Sequence, residues 1–286
     1  MKLQDINIRD PYIMVEGGKY YLYGTRGPEC WGKGYGLDVY ISEDMENWSE
    51  PVEVFTKTDD FWADRNFWAP EVHKYLDSYY MFVTFKSEDR CRGVQILKAE
   101  VPTGPFCVHS DGPVTPGDWE CLDGTLYIEN GTPYMIFCHE WLQVNNGEMC
   151  AIELSKDLRR PIGEPILLFR AKDVKGIESV NHADGYVTDG PFMHKTENGK
   201  LIMIWSSYGQ DGYCEILSYA KDGTLLGGWH HDERMLFDKD GGHGMIFRDR
   251  SGKLRFTLHM PNTSLDERPV IFDLFEINDS LYVKSV

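Results

Sequence analysis

The sequence contains no apolar run near the roughly 20 residues that a membrane helix requires, and no cluster of lysine or arginine. Its 46 acidic residues exceed the 29 basic ones, for a formal net charge of −17. A field of that sign repels nucleic-acid phosphates and anionic bilayers unless a basic patch overrides it, so neither is expected as a partner. The N-terminal MKLQDINIRD lacks the apolar core of a secretory signal. Cysteine supplies no framework: residues 30, 91, 107, 121, 138, 150 and 214 are odd in number, scattered, and without the close pairs of a zinc or redox site. They read as buried, reduced thiols, which with the missing signal leads to the expectation of a cytoplasmic protein. There is also no amphipathic helical pattern of ten or more residues, and no Pro/Ser-rich linker that would divide the chain. GTRG and GGHG lack the strand-to-helix context of a phosphate loop.

What the sequence has in quantity is aromatic residues, with 16 Tyr, 14 Phe and 8 Trp, which suit both strands and ligand-stacking surfaces. They fall into five hairpin patterns. DPYIMVE turns at Gly17-Gly18 into KYYLYGT, and WAPEVHKYL turns at Asp77-Ser78 into YYMFVTF. DGTLYIE turns at Asn130-Gly131 into TPYMIFC, DGPFMHKTE at Asn198-Gly199 into KLIMIWSS, and GHGMIFRDR at Ser251-Gly252 into KLRFTLH. Most turns carry the Gly or Asn-Gly that positive φ demands. The hairpins recur at intervals of roughly 50–70 residues, and the segments between them repeat a polar turn followed by an outer-strand start. The expected fold is an all-β five-bladed β-propeller, one domain over residues 1–286. A two-sheet sandwich is the rival, but it does not demand one opening motif at near-equal intervals.

In a propeller the first strands surround the central axis, so equivalent positions form a ring. The strand starts are Asp10, Ala69, Asp123, Asp189 and Gly242-His243, which would put a carboxylate at the same position in three blades. The second strands end at the same rim, with Arg26, Glu140, Trp141 and His259 among their last residues. Each acid also has a plain structural reading, as a strand-start cap before Pro11 or an Asx turn at Asp123-Gly124. Scaffolding alone does not ask for like charges at one mouth, since they repel and raise each other's pKa. Clustered acids between aromatic walls are what glycosidic hydrolysis needs: one carboxylic acid protonates the leaving oxygen and one carboxylate acts on water or the anomeric carbon.

On IRDPYI, WAPEVHK, CLDGTLYIENGTPYMIF, VPTGPF and GGHG, in order along the whole chain, the sequence resembles glycoside hydrolase family 43, five-bladed propellers acting on arabinose- and xylose-containing glycans. The resemblance implies an inverting, exo-acting hydrolase of α-L-arabinofuranosyl or β-D-xylosyl units, with an oligosaccharide or glycoside as its partner. It implies Asp10 as the general base and Asp123 as the residue that orients the acid and tunes its pKa. The family's acid is a Glu before Gly-Pro, whereas VTDGPF places Asp189 there, with a carboxyl ~1.5 Å further back by single-bond length. Asp189, Glu140 and Glu71 therefore stand as alternative proton donors, and a non-catalytic glycan-binding propeller stands as the alternative function. A kelch-like scaffold would leave the acids unexplained, and a retaining fructan-type enzyme fits poorly with WAPE and GGHG. Trp68, Trp141 and Trp31, the last in the Gly-rich loop CWGKGYG, are candidate sugar-stacking residues. Arg26 and His259 are candidate rim contacts, and Glu140 is a candidate for holding a substrate hydroxyl or an Arg. In the resemblance His243 lies near a central cation, a structural calcium ion approached through water.

Overall fold

The computed structural model describes residues 1–180 and 184–284. Twenty strands form five four-stranded antiparallel sheets, each from one continuous stretch of chain. Blade 1 comprises β1 (Ile8–Glu16), β2 (Lys19–Arg26), β3 (Gly36–Ser42) and β4 (Val52–Thr56). Blade 2 comprises β5 (Arg65–Tyr75), β6 (Ser78–Lys86), β7 (Gly93–Ala99) and β8 (Cys107–Val108). Blade 3 comprises β9 (Cys121–Glu129), β10 (Thr132–His139), β11 (Glu148–Leu154) and β12 (Pro161–Arg170). Blade 4 comprises β13 (Asp189–Lys195), β14 (Leu201–Gly209), β15 (Gly212–Ala220) and β16 (Trp229–His231). Blade 5 comprises β17 (Gly242–Arg248), β18 (Leu254–Met260), β19 (Arg268–Ile277) and β20 (Ser280–Val283). The only α-helix among the described residues is the single turn α1 (Trp141–Val144). The five-bladed propeller read from the repeat is the observed fold.

Inner strands lie between neighbouring blades and bury both faces, which is why YYMFVTF and LIMIW read as continuous apolar runs rather than alternating ones. The outermost β12, by contrast, is largely exposed. The core is accordingly divided into wedges between adjacent sheets. Between blades 1 and 2, Phe55, Phe61, Phe67 and Phe85 pack mostly edge to face, with Phe67 and Phe85 4.7 Å apart. The hairpin of blade 2 turns at Leu76-Asp77, not Asp77-Ser78, because Leu76 takes the left-handed φ of +51° and Ser78 already opens β6. Asn130 and Gly131, at φ +51° and +77°, form the two-residue turn their identities prescribe.

One irregularity recurs in every blade and creates the site. The first strand slips register near its start, and one residue there is left-handed: Asp10, Ala69, Asp123, Gly190 and His243, all at φ between 47° and 59°. Four are not glycine, a conformation that costs an L-residue roughly 1–2 kcal/mol. It is offset by hydrogen bonds that tie each blade to the one before. Ala69 N–H donates to Thr25 Oγ1 (2.8 Å), Asp123 N–H to Thr84 Oγ1 (2.9 Å), and His243 N–H to Ser206 Oγ (2.6 Å). Asp10 N–H closes the circle by donating to His259 Nδ1 (3.2 Å). The acceptors occupy one register position, opposite Trp68, Arg9, Asp189 and Gly242 in their respective hairpins. In blade 3 that position, opposite Leu122, is Cys138, and Gly190 N–H donates instead to the Asp123 carboxylate (2.9 Å).

This register corrects the ring deduced from sequence. Asp189 is not the equivalent of Asp10 and Asp123; it stands one residue earlier, level with Arg9, Trp68, Leu122 and Gly242. Gly190 occupies the position that carries carboxylates in blades 1 and 3.

Candidate active site

A cavity of about 540 Å³ opens at the end of the axis where the first strands begin. It is lined by Asp10, Asp123 and Asp189, by Trp31, Trp68, Trp141 and Tyr213, and by Arg9, Arg92 and His243. In a regular strand Arg9 and Asp10 would point to opposite faces. The left-handed turn at Asp10 cancels that alternation, so both reach the cavity.

Asp10 is buried and surrounded by donors. Thr25 Oγ1 donates to its Oδ2 at 2.5 Å, and His243 Nδ1 stands 3.2 Å from its Oδ1 and 3.6 Å from Asp123 Oδ2. Burial opposes its charge, but His243, Arg9 and the Thr25 hydroxyl outweigh it and hold the carboxyl below its usual range. His259 is fully buried behind Asp10 and does not line the cavity, a different place from the sugar-contacting rim expected for it. Its Nδ1 accepts the Asp10 N–H and its Nε2 faces Asn262 Oδ1 at 3.2 Å. Burial and Arg9 lower its pKa to about 3, so it serves as a neutral acceptor.

The other two acids go the opposite way. Burial and the Asp10 charge push Asp123 well above the usual carboxylate value. Burial and Asp123 push Asp189 up to about 8, against the pull of His243 and of the Tyr213 hydroxyl. The three titrate as a coupled set in which Asp10 releases its proton first. At neutral pH the cavity thus holds an ionised carboxylate beside a protonated one, the division of labour that acid–base catalysis uses.

The remaining candidates fall into two groups. Glu140 lines the cavity but forms a buried ion pair with Arg92, whose guanidinium lies 4.5 Å over the Trp68 ring. That face of Trp68 is therefore covered, and its Nε1 donates to Cys30 O (2.6 Å). Trp31, 63 % exposed, meets Trp68 edge-on at 5.3 Å and receives Arg9 5.6 Å from its ring. Trp141 stands at the mouth on α1 against Gly185, where a Cβ would meet the ring at 2.2 Å. Arg26 is not at the cavity. Its guanidinium makes two 2.7 Å bonds to Asp38 on β3, within its own sheet, so it clamps no catalytic carboxylate. Glu71 is buried against His73 (3.0 Å), also away from the cavity lining.

His243 does not make a direct calcium cage. It offers one nitrogen to the acids, calcium takes six to eight oxygens, and no group of three or more His, Cys, Asp or Glu among the described residues is arranged around a cation.

Several participants were not anticipated. Arg9 is fixed by Glu267 (2.7 Å) and Asn262 (2.7 Å), and Tyr213 O–H donates to Asp189 Oδ2 (3.0 Å). Glu215, fully buried and pushed by burial to about 7, accepts from Ser206 Oγ (2.7 Å) and Gly244 N–H (3.0 Å), bracing the backbone on both sides of His243. Arg9 beside Asp10 was open to inspection; Tyr213, Arg92 and Glu215 come from third strands or the loops before them, which carry no motif.

The family model "Glycosyl hydrolases family 43" matches residues 5–279. A solved endo-arabinase from Bacteroides thetaiotaomicron is 36% identical, covers 97% of this chain and 98% of its own, and superposes with a TM-score of 0.91. An extracellular endo-α-(1→5)-L-arabinanase of Bacillus subtilis is 29% identical over 167 residues, 54% of this chain and 49% of the relative. A xylosidase/arabinosidase of Bacteroides ovatus is 26% identical over 138 residues, 43% of this chain and 42% of the relative. The matched part thus spans about half the length of these two curated relatives or less. With five blades, three acids at the mouth and a match over nearly the whole chain, the protein belongs to glycoside hydrolase family 43.

Proposed function

We propose that the chain hydrolyses α-L-arabinofuranosyl linkages within arabinan-type glycans, with inversion at the anomeric carbon. The observation that carries the chemistry is that Asp10, Asp123 and Asp189 share one aromatic-walled cavity, whose surroundings hold Asp10 below and Asp189 above the usual carboxylate range. Asp10 takes a proton from water as that water attacks the anomeric carbon, and Asp189 gives its proton to the departing oxygen as the glycosidic bond breaks. Asp123, anchored by Gly190 N–H, keeps Asp189 protonated until the leaving oxygen claims the proton. Support for arabinan, and for cleavage inside the chain rather than the exo action expected from sequence, comes from the solved endo-arabinase that matches end to end.

The test is turnover of linear arabinan, arabino-oligosaccharides and nitrophenyl α-L-arabinofuranoside and β-D-xyloside by wild type and Asp10→Asn. Oligosaccharides released early from arabinan, with the inverted anomer seen first by NMR, are expected, together with a loss of 10³-fold or more, on the order of general-base contributions, in the variant. Early release of arabinose or xylose alone would restore the exo reading. Binding without turnover would make the protein a glycan-binding propeller.

A further inference from the structure

Asp189 has a short side chain, and its own strand does nothing to hold the carboxyl: the only protein hydrogen bond to that group among the described residues is the one from Tyr213. That hydroxyl takes Oδ2, while Oδ1 has no protein partner and is not shut away from solvent, so one oxygen is fixed and the other is left to the cavity. The fixing group arrives from two strands away, from β15, through a ring clamped on several sides. The Tyr213 ring stacks on His259 (5.6 Å, 23°) and tilts against Tyr208 (5.2 Å). The Tyr213 backbone N–H donates to Asp240 Oδ1 (3.3 Å). The ring also lies so close to Gly242 that a Cβ there would come within 2.6 Å of it. The glycine before His243 thus leaves room for Tyr213. His259 in turn accepts the Asp10 N–H, so one stacked pair touches both ends of the reaction.

We propose that Tyr213 is the positioning residue for the proton donor: by holding Oδ2 of Asp189 it turns the protonated oxygen toward the leaving group. The inference rests on the reading of Asp189 as the acid. Because a hydrogen bond to the ionised form favours ionisation, Tyr213 also tempers the upward shift of Asp189. A carboxyl free to rotate about its side chain would spend much of its time aimed elsewhere, and only substrates that need a proton on the departing oxygen would suffer.

The experiment compares wild type and Tyr213→Phe on arabino-oligosaccharides, whose sugar leaving group needs protonation, and on 2,4-dinitrophenyl α-L-arabinofuranoside, whose leaving group does not. Melting temperature serves as the folding control. On the oligosaccharide, turnover at saturation is expected to fall by a factor of 10 or more with KM little changed; on the dinitrophenyl substrate the fall should stay below 3-fold. The alkaline limb of the oligosaccharide pH profile should move upward. Equal losses on both substrates would overturn the proposal and leave Tyr213 a packing residue, as would no loss on either. If wild type turns over neither substrate, the reading of Asp189 as an acid falls, and this inference with it.

Discussion

Replacing Asp189 with Asn should stabilise the protein while abolishing its activity. The folded chain holds a proton on Asp189 up to about pH 8, whereas an aspartate in the unfolded chain releases it near 3.8. Between those values the native state binds the extra proton, so this residue subtracts stability progressively as pH rises from about 4 to 8. Each pH unit of difference is ~1.4 kcal/mol, an upper bound of ~6 kcal/mol; contact with solvent in the cavity screens this to ~2 kcal/mol. At an unfolding entropy of ~2.1 cal/mol/K per residue, 2 kcal/mol raises Tm by ~3 °C for a chain of this length. Asn is isosteric and still accepts the Tyr213 hydroxyl, so charge is what changes. Differential scanning calorimetry of both proteins between pH 4 and 8 should show Tm curves that meet at the acid end and separate toward pH 8, while turnover of arabino-oligosaccharides drops by ~10²-fold or more. An equal gain in Tm at pH 4 and pH 8, or a loss at both, would refute the argument, because neither depends on the titration invoked.

Two further outcomes follow from the same network. Thr25→Val removes the donor to Asp10 Oδ2 and the acceptor for Ala69 N–H. Asp10 then ionises at higher pH, so the acid limb of kcat/KM moves upward, with a stability loss of ~1–3 kcal/mol in urea unfolding for the stranded N–H. Glu140→Gln leaves the Arg92 charge without its partner and should cost about 3 kcal/mol by the same assay. The Glu140 charge is also one of the groups that raise Asp189, so with Asp189 as the proposed acid the alkaline limb of this variant should move slightly downward.

The sequence disclosed the blades because strands sandwiched between neighbours must be apolar on both faces and their hairpins need glycine or asparagine at fixed places. It disclosed Asp10, Asp123 and Asp189 because these sit beside the hairpin starts, where a repeat can be aligned by eye. The alignment itself was one residue off in blade 4. A strand drawn with period two makes DPY, DGT and DGP look alike, but the left-handed residue in blade 4 is Gly190. Arg26 ends a second strand near the rim, but that position says nothing of which way its side chain leans, and Asp38 on the next strand takes it. Tyr213, Arg92 and Glu215 act from third strands or the loops before them, where only the blade-to-blade packing decides which residue meets an acid.

The circle of backbone bonds has one more meaning. Among the described residues every sheet is built from its own stretch of chain, with no strand exchanged to latch blade 5 onto blade 1. Their junction joins an apolar wedge, where Met245 and Phe247 pack with the β1 and β2 core, to a set of polar bonds: Arg9 to Glu267 and Asn262, Asn7 to Leu265 O and Glu267 O, Arg268 to Gln4 O, and Asp10 N–H to His259. Asp10, the proposed activator of water, is thus also a tooth of the clasp between blade 5 and blade 1. With Asp10 as the proposed base, parting this seam and disarming the base are a single event, even while the other four seams hold.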